Sequence, residues 1–257
     1  MPMEVQRWLA SLVEALFPGK CLGCGLLFHR GTINRATAAD PATALAPYFC
    51  PHCRRQYTAV TSPLCTRCGV VFGSREGADH LCGHCLQTPG AFTRARATGI
   101  YDQSLRSAIQ ALKFNAMVQL AAPLGGLLWQ TFRQYWHPGD IDLIAPVPLH
   151  RKRFRRRGFN QSYLLIAGWQ LSGEAVIVRD LLVRHRATTP QTGLDRRQRQ
   201  INIRRAFSVR RPGQSAGRRV LLVDDVLTTG ATADACARTL INDGARRVDV
   251  LTLARAV

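Results

Sequence analysis

Residues 220–232 of this 257-residue chain read VLLVDDVLTTGAT, and the fold can be worked out from them. Four apolar residues lead to two adjacent acids, Asp224 and Asp225, and a short turn rich in threonine follows. The apolar run predicts a buried strand over 219–223, and the alanine-rich segment after the turn predicts a helix over 231–241. A strand that opens into a helix in this way is typical of parallel α/β sheets, which bind ligands at the carboxyl ends of their strands.

The turn after the two acids has the composition of a phosphate site. Backbone N–H groups and threonine hydroxyls at the start of a helix form a positively polarised nest, and glycine lets the backbone approach closely. The acids would repel a phosphate, but they can accept hydrogen bonds from the 2- and 3-hydroxyls of a ribose. The sequence therefore predicts a site for a phosphorylated sugar, made of Asp224, Asp225, Thr228, Thr229, Gly230, Ala231 and Thr232.

Apolar runs that alternate with helical periodicity extend this pattern from about residue 91 onward. Further strands are predicted over 141–147, 175–178, 206–209 and 247–253, and a helix over 161–171. The alternation predicts a parallel sheet covered by helices on both faces.

A basic run follows the strand predicted over 141–147. Val147, Pro148 and Leu149 lead into RKRFRRR at 151–157, which begins with Arg151. Backbone amides and dense positive charge at the end of a strand suit a pyrophosphate group. The same run also fits a DNA-binding surface or a solvated surface, and of the three we favour the pyrophosphate site.

Eight of the nine cysteines lie before residue 90, in four Cys-x-x-Cys pairs. Two such pairs present four thiolates to one tetrahedral zinc ion. We see no secretory signal at the N-terminus, so we expect a reducing compartment, in which disulfides are rare. The predicted ligands of two zinc ions are Cys21, Cys24, Cys50, Cys53, Cys65, Cys68, Cys82 and Cys85.

The residues that follow the cysteine pairs indicate which two pairs bind the same zinc ion. Gly25 and Gly69 follow the first and third pairs, whereas no glycine follows the second and fourth, which suggests a duplicated unit. This pattern favours one ion for the first two pairs and one for the last two, and a cross-braced arrangement stays open. Four thiolates leave no open coordination position, so we expect both zinc ions to be structural.

The net charge of +19 indicates the class of partner. Of the 35 basic residues 32 are arginine, and residues 91–257 hold 27 basic side chains against 11 acidic ones. Guanidinium groups bind phosphate bidentately, so we expect polyanionic or phosphorylated partners.

A hydrophobic content of 46% argues against disorder. No stretch approaches the ~20 apolar residues of a membrane span, so we expect a soluble protein, and without a secretory signal we expect it in the cytoplasm.

Apolar residues recur at helical spacing over 5–17 and predict an amphipathic helix within residues 1–20. A helix of this kind docks on the body of its own protein, or lies on a membrane surface or a partner. Peripheral membrane association therefore stays open.

The segment at 220–232 resembles the phosphoribosyl pyrophosphate (PRPP) binding motif of type I phosphoribosyltransferases, and the whole chain resembles the ComF family of competence-associated proteins. Several motifs carry the resemblance in family order. They are the four cysteine pairs, Tyr101, Leu105 with Arg106, Lys113 with Phe114, PVPL at 146–149, RGFNQ at 157–161, Gln191, Arg197, Arg199 and Asn202. After the amphipathic helix predicted over 1–20, the resemblance implies a double zinc ribbon domain over 21–90 and a phosphoribosyltransferase-like domain over 91–257.

The resemblance also implies a chemistry, in which an acceptor displaces pyrophosphate from the anomeric carbon of PRPP. Asp224 and Asp225 would orient the ribose, and Mg²⁺ held largely by substrate oxygens would neutralise the leaving pyrophosphate. The stretch over 184–205 would close over the ligand, and Arg197 or Arg199 on it would stabilise the leaving group. The segment at 147–149 with Arg151 would be the pyrophosphate loop. Nothing in the chain identifies the acceptor.

A second hypothesis follows from the association of the ComF family with the uptake of single-stranded DNA. The chain would then bind single-stranded DNA, or act as an adaptor for an uptake helicase or channel protein, and keep the fold without catalysis. High positive charge and zinc ribbons favour this hypothesis. An aromatic content of 7% argues against platforms for base stacking.

Overall fold

The computed structural model describes residues 8, 18–29, 41–74, 76–137, 139–171, 173, 175–185 and 206–256. The helix predicted within residues 1–20 lies almost entirely outside this range, and its last two residues form a strand instead. Arg197 and Arg199, together with Gln191 and Asn202, also lie outside the described residues. Among the residues described, every helix is too short or too polar to span a lipid bilayer.

The cysteine-rich part consists of short elements. Strand β1 pairs antiparallel with β2, and three helices of four or five residues follow. The elements are β1 (Gly19–Lys20), β2 (Leu27–Phe28), α1 (Pro41–Ala44), α2 (Pro51–Arg54) and α3 (Gly83–Gln87).

The remainder forms a five-stranded parallel sheet in the order β3-β9-β8-β4-β5, with a separate two-stranded antiparallel sheet of β6 and β7. The strands are β3 (Ala95–Ile100), β4 (Leu143–Pro146), β5 (Val176–Ile177), β6 (Leu182–Arg184), β7 (Phe207–Val209), β8 (Arg219–Leu227) and β9 (Arg247–Arg255). The helices are α4 (Gln103–Phe114), α5 (Ala121–Tyr135), α6 (Arg151–Arg157), α7 (Gln161–Leu164) and α8 (Ala231–Asn242), and a 3₁₀ turn covers Val118–Leu120.

The predicted parallel sheet with helices is confirmed, with local differences, among them that β8, predicted over 219–223, continues through the two acids to Leu227. The strand predicted over 206–209 pairs with β6 outside the main sheet. The helix predicted over 161–171 ends at Leu164, and Gly168, a poor helix former, lies within the predicted span. Strand β3 was not predicted, because its sequence ARATGI places Arg96 and Gly99 in the run and hides the apolar pattern.

The sheet is buried on both faces. Leu221 and Val223 of β8 pack with α4 and α5 on one face, and Val220 and Leu222 pack with α8 on the other. Since successive side chains of a strand point to opposite faces, a run of four apolar residues serves both layers.

The cysteine-rich part shares this core. Leu45, Phe49 and Cys53 belong to the same buried cluster as the side chains of α4 and α5. The main chain at 58–60 also pairs with β3, because Ile100 N–H donates to Thr58 O at 2.8 Å. The sheet edge at β3 is therefore covered by the N-terminal part of the chain.

A bidentate ion pair joins the amino ends of β4 and β8. Arg219 donates from Nε and Nη2 to the two carboxylate oxygens of Asp142 at 3.0 and 2.6 Å. These hydrogen bonds lower the pKa of Asp142 from 3.8 to about 2. The ionised carboxylate thus stabilises the fold at neutral pH, and this contribution disappears as the pH falls from 3.8 through about 2.

We expect Asp142→Asn to lower the free energy of unfolding by about 1–2 kcal/mol at pH 7. The difference from the wild type should shrink as the pH approaches 2, where the wild-type carboxylate becomes protonated. Denaturant unfolding across this pH range measures both effects. The control is Asp180→Asn, which removes the exposed ion pair with Arg210 and should cost less than about 0.5 kcal/mol. Equal costs for the two variants would contradict the expectation.

Candidate functional site

The eight predicted cysteine ligands form two groups of four. In each group the Sγ atoms all lie within 4.8 Å of one another, and the groups are Cys21, Cys24, Cys50, Cys53 and Cys65, Cys68, Cys82, Cys85. The favoured pairing of consecutive cysteine pairs is therefore confirmed. The Sγ atoms of Cys24 and Cys50 are 3.9 Å apart and those of Cys68 and Cys82 are 3.8 Å apart. These separations match the edge of about 3.8 Å of a tetrahedron with 2.3 Å Zn–S bonds.

Backbone hydrogen bonds lower the pKa of one thiol in each cysteine group, which favours the thiolate form that binds metal. Burial raises the pKa of Cys21, but hydrogen bonds from backbone N–H groups, including that of Cys50, lower it overall to about 6. The N–H groups of Cys68 and Cys82 have the same effect on Cys65, whose pKa is also about 6. The donor sets and their geometry fit two closed zinc sites with structural roles.

The second cysteine group is tied to the sheet at Gly69. This residue has φ +67°, and its N–H donates to Cys65 O. A Cβ here would lie 2.7 Å from the carbonyl oxygen of Ala95 in β3, so only glycine fits. The glycine after the third cysteine pair is thus required by both the turn and the contact with the sheet.

The predicted phosphate loop lies at the carboxyl end of β8. Gly230 has φ +79° and precedes the first residue of α8, and Thr228 and Thr229 are exposed. The N–H of Ala231, the first residue of α8, donates to Thr229 Oγ1 at 3.4 Å, so the threonine hydroxyls lie next to the helix N-terminus. Arg255 at the end of β9 donates to the carbonyls of Leu227 and Thr228 and thereby fixes the start of the loop.

The two adjacent acids have different partners. Asp224 Oδ1 accepts from Ser162 Oγ at 3.0 Å, and burial raises the pKa of Asp224. Asp225 is nearly buried, and its Oδ2 lies 2.6 Å from Nζ of Lys113 at the end of α4. Both carboxylates are thus engaged at the edge of the sheet where the phosphate loop begins.

Three arginines bring positive charge to this edge. The charge of Asp224 acts on Arg157 and Arg184, while Arg153 repels both of these arginines. Burial lowers the pKa of Arg157 and Arg184, yet arginine keeps its charge at any physiological pH. The carboxyl edge therefore combines two acids with a lysine and three arginines, a combination that suits an anionic ligand with hydroxyl groups.

In the predicted pyrophosphate loop, the backbone groups of the first residue are already hydrogen-bonded within the fold. Val147 is buried, its N–H donates to Val223 O, and its carbonyl accepts from Asn160. Pro148 and Leu149 are partly exposed, and Arg151 is exposed at the start of α6. Of the arginines of α6, Arg157 feels the charge of Asp224, and Arg153 and Arg156 repel Arg157. The assignment of residues 147–149 and Arg151 to pyrophosphate remains a prediction.

Sequence reasoning from the loop alone missed Lys113, Ser162, Arg184 and Arg255. Lys113 was visible as one of only three lysines and as a family motif, but no pattern linked it to Asp225. The others come from elements far apart in the chain, and only the fold brings them to one edge.

The second cysteine group also reaches the back of the phosphate loop. A cavity of about 210 Å³ lies between them, and its walls include Cys68 and Cys85 on one side and Thr229 and Gly230 on the other. Arg67, Arg238 and Arg255 also line it. The second zinc site and the loop are therefore neighbours across a small cavity.

Comparison with known proteins places both parts of the chain. Residues 12–86 match the double zinc ribbon domain, and residues 170–256 match the phosphoribosyl transferase domain. These matches and the parallel sheet confirm the predicted fold class.

Relatives match along most of their length. DNA utilization protein YhgH of Escherichia coli K12 is 36% identical over 219 residues, which cover 81% of this chain and 91% of that protein. Competence protein F of Haemophilus influenzae is 33% identical, covering 81% of this chain and 97% of that protein. Competence protein ComFC of Bacillus subtilis is 22% identical, with 80% and 84% covered.

A solved structure titled the allosteric regulatory enzyme of purine biosynthesis also matches. It has 20% sequence identity and a TM-score of 0.32, and the match covers 50% of this chain and 24% of that chain. A likeness this weak supports no argument about function.

We expect the purified chain to contain about two zinc ions, and Cys53→Ala to reduce the content to about one. The melting temperature should also fall, because Cys53 belongs to the main core. Elemental analysis and thermal unfolding measure the two effects. The control is Cys236→Ala, which changes a cysteine that is buried in α8 outside both groups and should keep two zinc ions. Two zinc ions in Cys53→Ala would contradict the assignment.

Proposed function

The chain belongs to the ComF family of competence proteins, and on that premise we propose that it binds PRPP or a closely related phosphorylated ribose at the carboxyl edge of its sheet. In this proposal the protein serves DNA uptake or utilization, and its domain transfers the phosphoribosyl group to an acceptor with release of pyrophosphate. The names of the relatives, which refer to competence and to DNA utilization, support the cellular role.

One observation carries the proposal: the N-terminus of α8 lies beside two carboxylates on the strand that leads into it. The N–H groups of α8 and the hydroxyls of Thr228, Thr229 and Thr232 suit a terminal phosphate. Asp224 and Asp225 suit the ribose hydroxyls, which donate hydrogen bonds. Only a short stretch of chain separates the acids from the nest, which suits the two ends of a ribose 5-phosphate.

The proposed transfer needs charge and orientation more than proton chemistry. The phosphate loop would anchor the 5-phosphate, and Asp224 and Asp225 would hold the ribose ring so that its anomeric carbon faces the basic residues. Arg153, Arg157 and Arg184 would stabilise the pyrophosphate as its bond to the anomeric carbon breaks. The predicted contributions of Arg197 and Arg199 belong to this step as well.

Magnesium would accompany the ligand in this proposal. Among the residues described at this edge, the two carboxylates are already engaged by Ser162 and Lys113. This fits a Mg²⁺ ion that is held by the ligand's own phosphate oxygens and not by a protein cage. When bound, the ion would offset the charge of the pyrophosphate.

We expect Asp224→Asn with Asp225→Asn to weaken binding of PRPP with Mg²⁺ by about a hundredfold, because hydrogen bonds from the ribose to two charged acceptors are removed. Isothermal titration calorimetry measures the affinity, and Asp180→Asn, at an exposed position, is the control. Unchanged affinity in the double variant would refute the assignment of these acids. Loss of transformation in the same variant would link the ligand to DNA uptake.

The surface of α6 favours a second candidate function, the binding of single-stranded DNA. No side chain of α6 is buried, and Arg155 and Arg156 are exposed. Phe154 is 40% exposed and Phe114 is 65% exposed, and the Arg157 guanidinium lies 5.7 Å from the centre of the Phe114 ring. Exposed rings among arginines form the stacking platform that single-stranded DNA requires. The low aromatic content of the whole chain conceals this local concentration.

If α6 binds single-stranded DNA, replacing Arg155 and Arg156 with glutamine should weaken binding and flatten its salt dependence. The slope of log affinity against log salt should change by about 0.7 for each DNA phosphate that the protein no longer neutralises. Fluorescence anisotropy of a labelled oligonucleotide at several salt concentrations measures the slope. Arg211 and Arg218, exposed arginines elsewhere, provide the matched control when both are replaced by glutamine. If the slope of log affinity against log salt does not change, α6 is excluded as the DNA-binding surface.

A further inference from the structure

Lys113 forms a close ion pair inside the site. Its Nζ lies 2.6 Å from Oδ2 of Asp225, and the two side chains are 18% and 6% exposed. Apart from this contact, Asp225 Oδ2 has no partner among the residues that the structure describes. A buried carboxylate without a counter-charge is costly, and the Lys113 ammonium group supplies the counter-charge of Asp225.

The two acids create an electrostatic problem for a phosphorylated ligand. Each carboxylate repels the phosphate groups that the site is proposed to bind, and the repulsion is strong where burial weakens screening. Lys113 touches one of the carboxylates and feels the charge of the other, and Arg153 and Arg157 of α6 also act on it. Since charge interactions weaken with distance, Lys113 offsets the carboxylate charge more directly than the arginines do.

We propose that Lys113 is a positioning residue of the phosphoribosyl site, which holds the Asp225 carboxylate ionised and oriented and cancels one of the two negative charges that face an anionic ligand. This inference rests on the proposed function. It assigns to Lys113 a role in ligand affinity that a lysine needed only for folding would not have.

The charge of Lys113 can be removed without changing the sequence. Burial lowers the pKa of Lys113 to about 8, and Arg157 and Arg153 act in the same direction, whereas Asp224 acts against them. Lys113 is therefore charged well below pH 8 and neutral well above it. The arginines that act on it keep their charge throughout, so a rise in pH from about 7 to about 9.5 selectively removes the lysine charge from this group.

The decisive experiment measures the affinity for PRPP with Mg²⁺ by calorimetry between about pH 7 and 9.5. The wild-type affinity should fall by about ten- to a hundredfold over this range, because the site loses one positive charge. Lys113→Arg should restore the charge at every pH and keep the affinity nearly constant. Lys113→Met should bind weakly at neutral pH and show no further loss at high pH.

Lys20→Met is the matched control, since it removes an exposed lysine at β1 and should keep the wild-type pH profile. Thermal unfolding verifies that each variant is folded. Because the chain has only three lysines, ¹³Cε-lysine NMR of the ligand-free protein also follows Lys113 directly, with the Lys113→Met spectrum as its assignment. Asp225→Asn should lower the pKa of Lys113 further, because a stabilising negative charge is removed.

The possible failures are distinguishable. If the wild type does not bind PRPP at any pH, the proposed function fails and this inference fails with it. If the wild type binds PRPP but Lys113→Arg loses affinity with pH as the wild type does, only the role of Lys113 is overturned. Wild-type affinity of Lys113→Met at neutral pH would likewise overturn it.

Discussion

The burial of β8 on both faces is the constraint on which the rest of the structure depends. Residues 220–223 are fully buried between the layer of α4 and α5 and the layer of α8, and β8 pairs with β4 and β9 on its two sides. Such a strand cannot shift its register without moving apolar side chains of both layers out of place. Asp224, Asp225 and the phosphate loop therefore have fixed positions, although they themselves contribute little to the core.

The zinc ribbons have too few large apolar side chains to form a core of their own. The segments between the cysteines are short, and four thiolates around each ion would provide the cohesion that a core provides elsewhere. The ribbons do not stand apart from the sheet. The first contributes Cys53 and Phe49 to the main core, and the second contacts β3 at Gly69 and faces the back of the phosphate loop. The cysteine-rich part thus contacts the rest of the fold at two places.

Much of this architecture could be predicted from the sequence, because the signals are local. The strand and helix around 220–232, the four cysteine pairs and their consecutive grouping each depend on residues close together in the chain. The partners of the two acids could not be predicted, because Lys113 and Ser162 lie about 110 and 60 residues away and reach β8 only through the packing of α4 and α7. Strand β3 was missed for another reason: its burial comes from pairing with β9 and from cover by the ribbon, which compensate for a polar and glycine-containing sequence.

The order of the strands has a consequence for how a newly made chain acquires its site. Strand β9 is late in the sequence but lies between β3 and β8, and its last residue, Arg255, holds the carbonyls of Leu227 and Thr228. A nascent chain that has emerged only through α8 has its cysteines free to take up zinc, yet it has a gap in the middle of the sheet. Zinc binding can therefore precede the addition of β9 to the sheet, whereas the phosphate loop acquires its final shape only afterwards. Truncated products would carry zinc and lack the site.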